Sequence, residues 1–233
     1  MTTTTIRRVA AALLSLVAVA ALAGCTTPGA VKKACGTEAD LIDTTGSTAG
    51  FRGQWPAELA RSAYDALANG DRYYASTFTS GQGTIDWAVT ADGCHSRETR
   101  PRKHALWANQ TTNALGPRLT ALTNAKTHGG SDPLAALEEA AKLPNLTQVR
   151  IWSDLILQDD GVDLSKPVPA STIRRLADEW TPRLAGLKGV NVMALHAGRG
   201  VDSDVAVRQS EALLRTVLER DGATLEWAPV LGR

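Results

Sequence analysis

The sequence predicts an α/β fold: a doubly wound, mostly parallel sheet with helices on both faces and one antiparallel edge strand. Short apolar runs alternate with longer amphipathic segments after about residue 35, and this alternation is typical of a parallel sheet covered on both faces. Ser80-Gly81-Gln82-Gly83 lies between two β-rich runs and is typical of a hairpin turn, which predicts the antiparallel strand. Residues 35–233 are long enough to bury one core and are predicted to form a single domain.

The first half of this domain is predicted to contain three strands and two helices. In order they are strand Thr37–Asp43, helix Pro56–Asn69, strands Arg72–Thr79 and Thr84–Thr90, and helix Arg102–Lys126. Gly70 ends the first helix, because glycine is the residue most often found just past a helix C-terminus. Pro117 should break or kink the second helix, because proline cannot donate the backbone hydrogen bond that an inner turn requires.

The second half alternates helix and strand throughout. Its predicted elements are helix Asp132–Leu143, strand Val149–Leu157, helix Ser171–Leu187, strand Val190–Ala197, helix Asp204–Asp221 and strand Thr224–Val230. Ser131 is the natural N-cap of the first helix, and Pro133 is tolerated in its first turn. The run Val149–Leu157 is rich in Ile, Leu and Trp, which predicts a central strand.

The N-terminus is predicted to be a targeting segment. Arg7 and Arg8 precede the small-apolar stretch Val9–Ala21, which is about 14 residues long against the roughly 20 needed to span a bilayer. Leu22-Ala23-Gly24-Cys25 resembles a bacterial lipobox, which implies cleavage before Cys25 and lipid on its sulfur. The predicted organisation is therefore a signal peptide (1–24), a lipidated cysteine with a tether (25–34) and the domain (35–233). The protein is predicted to be exported and to be anchored by its lipid to the cell membrane, with the domain on the outside or in the periplasm.

The other two cysteines are predicted to form a disulfide. If Cys25 carries lipid, Cys35 and Cys94 remain as a pair in an oxidising compartment. If the second and third strands form a hairpin beside the first, both cysteines lie at the same edge of the sheet. The alternative is two free buried thiols.

Oxygen-bearing side chains follow the first strand and recur at two later positions. They are Asp43, Thr45, Ser47, Ser131 and Asp154. In open parallel sheets, ligands bind beyond the carboxyl ends of the strands near the point where strand order reverses, and all five positions fit that edge. Two carboxylates and three hydroxyls are hard oxygen ligands suited to Mg²⁺, Mn²⁺ or Ca²⁺. The sequence therefore predicts a divalent-cation site, which we call the edge site.

The pattern Asp43-x-Thr45-x-Ser47, followed by Ser131 and Asp154, resembles the metal-ion-dependent adhesion site of von Willebrand factor type A domains. The element order resembles that Rossmann-like family over essentially all of residues 35–233. The resemblance implies that Thr45 and Ser47 coordinate the metal, most plausibly Mg²⁺, through their hydroxyls, and that Asp43 and Asp154 hold it partly through water. Two positions depart from the family: Ser131 stands where threonine is usual, and Leu155 where glycine is common.

Charge counting indicates what such a site does. Two carboxylates neutralise a divalent ion, so an open coordination position attracts an acidic group of a partner protein or ligand. This is a binding function without turnover, and a net charge of +1 gives no reason to expect nucleic acid. His196 and Asp202 follow the strand Val190–Ala197 and are candidates for the partner surface, although an ordinary loop histidine is the alternative.

Two other functions remain open at this stage. In one, the domain is a metal-free scaffold whose site is vestigial. In the other, Asp43-Thr44-Thr45-Gly46-Ser47 resembles the phosphorylation loop of haloacid-dehalogenase-like phosphotransferases, with Asp43 as nucleophile and Asp159 and Asp160 as Mg²⁺ ligands. Against that reading, the usual second acid two residues after the nucleophile is absent. Neither G-x-G-x-x-G nor a Gly-Lys-Ser/Thr loop occurs, which disfavours a nucleotide site.

Overall fold

A six-stranded sheet forms the centre of the domain. It is seen in a computed structural model that describes residues 35–80, 85–94, 101–159, 162–201 and 203–229. Its strands are β1 (Thr37–Asp43), β2 (Arg72–Phe78), β3 (Val89–Asp92), β4 (Leu146–Trp152), β7 (Asn191–Ala197) and β8 (Thr224–Pro229). A separate two-stranded hairpin is formed by β5 (Gln158–Asp159) and β6 (Val162–Asp163).

The strand order is β3-β2-β1-β4-β7-β8, and only the β2–β3 pair is antiparallel. The chain therefore winds outward from β1 in one direction and from β4 in the other, so the strand order reverses between these two strands. This confirms the predicted doubly wound, mostly parallel sheet with one antiparallel edge strand. The reversal places a crevice beyond the carboxyl ends of β1 and β4, where such folds bind ligands.

Five α-helices cover the two faces of the sheet. They are α1 (Pro56–Ala68), α2 (Pro101–Thr123), α3 (Pro133–Ala140), α4 (Ala170–Trp180) and α5 (Asp204–Asp221). Helices α1 and α2 bury their apolar side chains with Ile42 of β1 in one core, and α3, α4 and α5 pack with Leu41 in the other. Adjacent residues of a strand point to opposite faces, so β1 serves both cores. Every residue of β1 is buried, as expected for a central strand in a covered sheet.

Strands β3 and β4 differ most from their predicted bounds. β3 begins at Val89 instead of Thr84, and the predicted turn at Gly81–Gly83 lies outside the described residues. The central strand covers Leu146–Trp152, so it begins and ends earlier than the predicted Val149–Leu157. The predicted end of β4 was wrong because residues 155–157 are apolar, as a buried strand would be, but they form a buried loop that packs into the core.

The observed helices differ from the predicted ones at three places. Pro117 lies inside the uninterrupted helix α2, so the predicted break is wrong; Pro117 and Asn113 are both exposed, and water can satisfy the carbonyl that proline leaves unpaired. Asp132, not Ser131, caps α3, because its Oδ1 accepts a hydrogen bond from Ala135 N at 2.9 Å. The predicted helix Ser171–Leu187 changes at Trp180 into a 3₁₀ helix, Thr181–Leu187.

The predicted disulfide is present at the amino edge of the sheet. Cys35 lies two residues before β1 and Cys94 two residues after β3, and the bonded pair has a Cα–Cα distance of 5.6 Å. The predicted signal peptide, lipidated Cys25 and tether fall within residues 1–34 and lie outside the described residues. Within the part of the chain that the structure describes, no helix has the length and apolarity needed to cross a membrane.

Candidate metal centre

The edge site forms in the crevice between the carboxyl ends of β1 and β4. Asp43 is the last residue of β1, and Asp154 follows the end of β4 by two residues. Ser131 precedes α3 and is held by backbone hydrogen bonds in both directions with Gln158 of β5, each 2.8 Å. The structure thus brings all five predicted ligand residues to one place, although Asp154 lies in a loop and not within the strand as predicted.

The carboxylate of Asp43 is the hub of the site. Its Oδ2 accepts hydrogen bonds from Ser131 Oγ at 2.9 Å and from Ser153 Oγ at 2.6 Å. Its Oδ1 accepts from the backbone N–H of Thr45 at 2.8 Å. Asp43 is fully buried. These three donors, which come from three separate segments, fix the carboxylate in one orientation.

The turn after β1 presents the two hydroxyls that the sequence predicted as direct ligands. Thr45 Oγ1 and Ser47 Oγ lie 3.1 Å apart, and Ser47 also hydrogen-bonds to the Asp154 carboxylate. Thr48 Oγ1 lies 3.0 Å from both Asp43 O and Thr45 O and donates to these carbonyls, which closes the turn from inside. Thr45 is buried but Ser47 is exposed, so the site opens to solvent on the Ser47 side.

Both carboxylates of the edge site resist ionisation. Burial raises the pKa of Asp43, and hydrogen bonds from Ser153, Thr45 and Ser131 only partly oppose this. Burial, with a smaller contribution from the nearby charge of Asp43, raises the pKa of Asp154 to about 6, although hydrogen bonds from Ser47 and from the backbone N–H of Ile156 oppose this. Among the described residues, no Lys, Arg or His lies within 4.0 Å of either carboxylate. A bound cation would oppose both shifts, because a nearby positive charge favours the ionised carboxylate.

The donor set fits a hard divalent cation. Its side-chain donors are carboxylate and hydroxyl oxygens, which are the groups that Mg²⁺, Mn²⁺ and Ca²⁺ prefer. Two carboxylates balance the charge of one such ion. They are buried without a basic partner among the described residues, a costly arrangement unless something neutralises them.

Leu155 follows Asp154 with a left-handed backbone, φ 63°. Glycine adopts this conformation freely, whereas a branched side chain is strained in it. The Leu155 side chain is fully buried in the core with α3, α4 and α5, and this burial offsets the strain. Leu155 therefore forms the turn that carries Asp154 and adds apolar contact to the core.

Sequence reasoning missed Ser153 and Arg52. Ser153 donates to Asp43 and accepts from Leu155 N at 2.8 Å, so it connects the two carboxylate-bearing segments. Its position beside Asp154 was the only available signal. Arg52 is buried and donates to Ala125 O at 3.3 Å and to Thr127 Oγ1 at 2.9 Å. No sequence pattern predicted these contacts.

His196 has a left-handed backbone, φ 64°, and its ring packs in an aromatic cluster. It stacks on Trp55 with ring centroids 5.4 Å apart and contacts Phe51 and Trp152. Its side chain is 11% exposed and faces Glu58, with Nε2 and Oε2 separated by 3.7 Å. His196 therefore supports the edge from inside with only a small exposed surface, and its role in a partner surface stays a prediction. Asp202 lies outside the described residues.

A second group of possible metal ligands lies at the opposite edge. Cys35, Cys94 and Asp92 bring their ligand atoms within 4.8 Å of one another. The metal-binding form of cysteine is the thiolate, and here the two sulfurs are joined to each other. Asp92 Oδ1 also accepts from Cys94 N at 2.8 Å. This group is therefore a structural disulfide with a supporting carboxylate.

The phosphotransferase alternative required Asp159 and Asp160 near Asp43. The side chain of Asp159 and all of Asp160 lie outside the described residues.

Comparison with known proteins assigns no family. No protein-family model matches the chain, and no curated protein matches it significantly. Among solved structures, the crystal structure of the human COPII-coat protein Sec24c is similar, with a TM-score of 0.40 and 9% sequence identity. The match covers 84% of this chain and 30% of the Sec24c chain.

Proposed function

We propose that the protein binds an acidic group of a partner protein or ligand through a divalent cation held at the edge site. The observation that carries this proposal is the pair of buried carboxylates, Asp43 and Asp154, surrounded by hydroxyls and without a basic partner among the described residues. Such a group stabilises a protein poorly by itself. It is well suited to receive a cation from solution.

Each residue of the site has a distinct part in this proposal. Asp43 and Asp154 would neutralise the ion, and Thr45, Ser47 and Ser131 would supply uncharged oxygens. When bound, the ion supplies a positive position that a carboxylate can approach. Ser47 is exposed while the other four residues are buried, so the partner's acidic group would arrive over Ser47. The hydrogen bonds on Asp43 preorganise the set, which reduces the cost of ordering it on binding.

The proposal extends to family and location. We interpret the fold and the edge site together as a von Willebrand factor type A-like domain, and the N-terminal segment as a lipoprotein signal that leaves lipid on Cys25. The Cys35–Cys94 disulfide is compatible with export, because disulfides persist in oxidising compartments. The protein would then act as a membrane-anchored binding protein outside the cytoplasm, with no catalytic turnover.

Thermal unfolding of the full chain in detergent tests the metal site. The protein is unfolded in EDTA and then in Mg²⁺, Mn²⁺ or Ca²⁺, beside Asp43→Asn. A ligand that binds only the folded state stabilises it by about 2.7 kcal/mol at a hundredfold excess over Kd, and this gain should vanish in Asp43→Asn. The matched control is Asp178→Asn, which removes an exposed carboxylate that pairs with Arg220 at 2.7 Å on the far helices. It should leave the metal response intact.

A failure of this test has a definite meaning. If millimolar metal leaves the unfolding temperature of the wild-type chain unchanged, the site is vestigial and the domain is a metal-free scaffold. If the metal response survives in Asp43→Asn, the ion binds elsewhere.

A further inference from the structure

A polar cleft lies directly beside the edge site. Its volume is about 350 Å³, and its lining includes Thr44, Thr77, Thr79, Ser80, Lys126 and His128. This volume is at the lower end of the range, roughly 300–1,000 Å³, that is usual for small-molecule sites. The cleft lies between the carboxyl end of β2 and the segment that follows α2.

The cleft and the edge site share a wall. Thr44 lines the cleft and stands between two edge-site residues, Asp43 and Thr45. His128 N donates to Thr44 O at 3.1 Å, and His128 pairs with Thr45 in a short parallel bridge. A group bound in the cleft would therefore be separated from a group bound at the edge site by the width of one backbone segment.

Among the described residues, the lining of the cleft is basic and contains no carboxylate. Lys126 and His128 are exposed, and among the described residues no Asp or Glu lies within 4.0 Å of either. The helices on the far face differ, because Arg183 pairs with Glu138, Arg215 with Glu211 and Arg220 with Asp178. Lys126 is thus a cation without a carboxylate partner among the described residues, and it lines the cleft.

Arg52 holds this basic wall in place from behind. Its buried guanidinium donates to Ala125 O and to Thr127 Oγ1, the residues on either side of Lys126. The positive charge of Arg52 adds to that of Lys126. The Thr77 hydroxyl lines the cleft and has no hydrogen-bond partner among the described residues, so it can donate to a ligand.

We propose that this cleft is a second anion subsite, which binds a carboxylate of the same acidic ligand whose other carboxylate docks at the edge site. The inference rests on the proposed metal-dependent docking. The ligand class is a molecule or peptide segment with two neighbouring carboxylates. Lys126 and Thr77 bind the second carboxylate, and His128 forms the wall between the two subsites. Two linked contacts bind more tightly than either one, because the second forms within the same complex.

The test compares a dicarboxylate with a monocarboxylate on the full chain in detergent. Glutarate and butyrate are titrated by NMR in Mg²⁺ and in EDTA, with wild type, Lys126→Met and Lys142→Met. Lys142 is the matched control, since it is an exposed lysine that pairs with Glu139 away from the cleft. In Mg²⁺ we expect glutarate to bind wild type about tenfold more tightly than butyrate, the scale of one charge-assisted hydrogen bond. Lys126→Met should erase this advantage, while Lys142→Met should keep it.

The titrations distinguish a wrong proposal for the cleft from a wrong proposal for the metal site. Equal affinities for glutarate and butyrate in wild type, with a normal Mg²⁺ stabilisation, would overturn the cleft proposal and leave the metal site standing. Glutarate binding that persists in EDTA and depends on Lys126, in a protein that Mg²⁺ does not stabilise, would support the cleft and overturn the metal site. An advantage for glutarate that Lys126→Met leaves unchanged would also overturn the cleft.

Discussion

Strand β1 carries two fully buried aspartates, Asp40 and Asp43, whose surroundings differ in one respect. Asp40 belongs to a group that we call the core cluster: Glu38, Asp40, Tyr73 and Arg150. There Arg150 Nη1 lies 3.4 Å from Asp40 Oδ1, Arg150 Nη2 pairs with Glu38, and the Tyr73 hydroxyl donates to Asp40 Oδ2 at 2.6 Å. Asp43, three residues further on and on the opposite face, is surrounded by hydroxyls and a backbone N–H only.

The difference separates a structural group of charges from one that fits a ligand. In the core cluster, burial raises the pKa of Glu38 and of Asp40, and the guanidinium of Arg150 is the largest influence that opposes it. At the edge site, the largest influences that oppose burial are hydrogen bonds, and the charge of Arg52 also acts on Asp43, although not from salt-bridge distance. The core cluster brings its own cation and lies within the sheet. At the edge site, no basic group among the described residues lies within 4.0 Å of either carboxylate, and the site opens to solvent at Ser47.

Removing the cation of the core cluster should have the largest effect. Arg150→Met leaves Glu38 and Asp40 buried without their partner, and breaking a buried pair in this way costs about 3–5 kcal/mol. Urea unfolding measures the loss in free energy. Arg220→Met is the control, because its pair with Asp178 is exposed and should contribute less than about 1 kcal/mol. A loss below about 1 kcal/mol for Arg150→Met would show that the core cluster is not held by its cation.

Removing the disulfide provides a benchmark that touches neither group of charges. The double variant Cys35→Ser, Cys94→Ser opens a link between residues 59 apart in sequence, and loss of such a link typically costs about 2–4 kcal/mol. We expect the unfolding free energy to fall by this amount while the Mg²⁺-induced gain in stability stays the same. A lost metal response would mean that the amino edge of the sheet controls the edge site.

Neutralising Asp154 should raise the free energy of unfolding of the metal-free protein, whereas neutralising Arg150 should lower it. The folded-state pKa of Asp154 is raised, from an ordinary 3.8 to about 6. The stability contributed by its protonated form is present below pH 3.8 and is lost as pH rises through 6, a loss of up to roughly 3 kcal/mol by pH 7. Asp154→Asn cannot ionise, so in EDTA at pH 7 it should be more stable than wild type by about 1–3 kcal/mol.

Two further observations sharpen that result. The metal-free stability of wild type should fall between pH 4 and pH 7 more steeply than that of Asp154→Asn, and Mg²⁺ should no longer stabilise the variant. A variant that is less stable than wild type at pH 7 would mean that ionised Asp154 has a partner in the metal-free protein.

The smallest expected effect is a pH dependence of the Mg²⁺ affinity, because protons and the metal compete for Asp154. Below pH 6, Asp154 must lose a proton before it binds an ion, so the affinity for Mg²⁺ should fall about tenfold per pH unit. Titrations at pH 7, 6 and 5 measure this dependence. An affinity that is constant over the range would place the metal away from Asp154.

Much of the fold could be predicted because its signals are local. Apolar runs, glycines and amphipathic periodicity predicted helix α5 and strand β1 with the observed bounds, and the strand–helix alternation predicted the parallel sheet. The boundaries that failed were those of β3 and β4. In β4 the apolar residues 155–157 are buried in a loop instead of a strand, and burial alone cannot distinguish the two from sequence.

The sequence predicted which residues form the edge site but not the hydrogen bonds between them. The types and order of Asp43, Ser131 and Asp154 are visible in the chain, and resemblance to a known family joined them. Which side chain caps α3 was decided by packing: the Asp132 carboxylate accepts from Ala135 N, and Ser131 Oγ donates to Asp43 instead. Two adjacent polar residues compete for one cap with little difference in free energy, so contacts from distant segments decide the outcome.

By itself the sequence determined the alternation of elements, the pairing of Cys35 with Cys94 and the residue types that collect at the carboxyl edge. Only the tertiary structure decided which carboxylate receives a cation from within the protein. Arg150 lies 110 residues from Asp40 and reaches it across two paired strands, whereas no basic side chain among the described residues comes as close to Asp43. A charge is neutralised by what lies near it in space, and proximity between distant segments is a property of the folded chain alone.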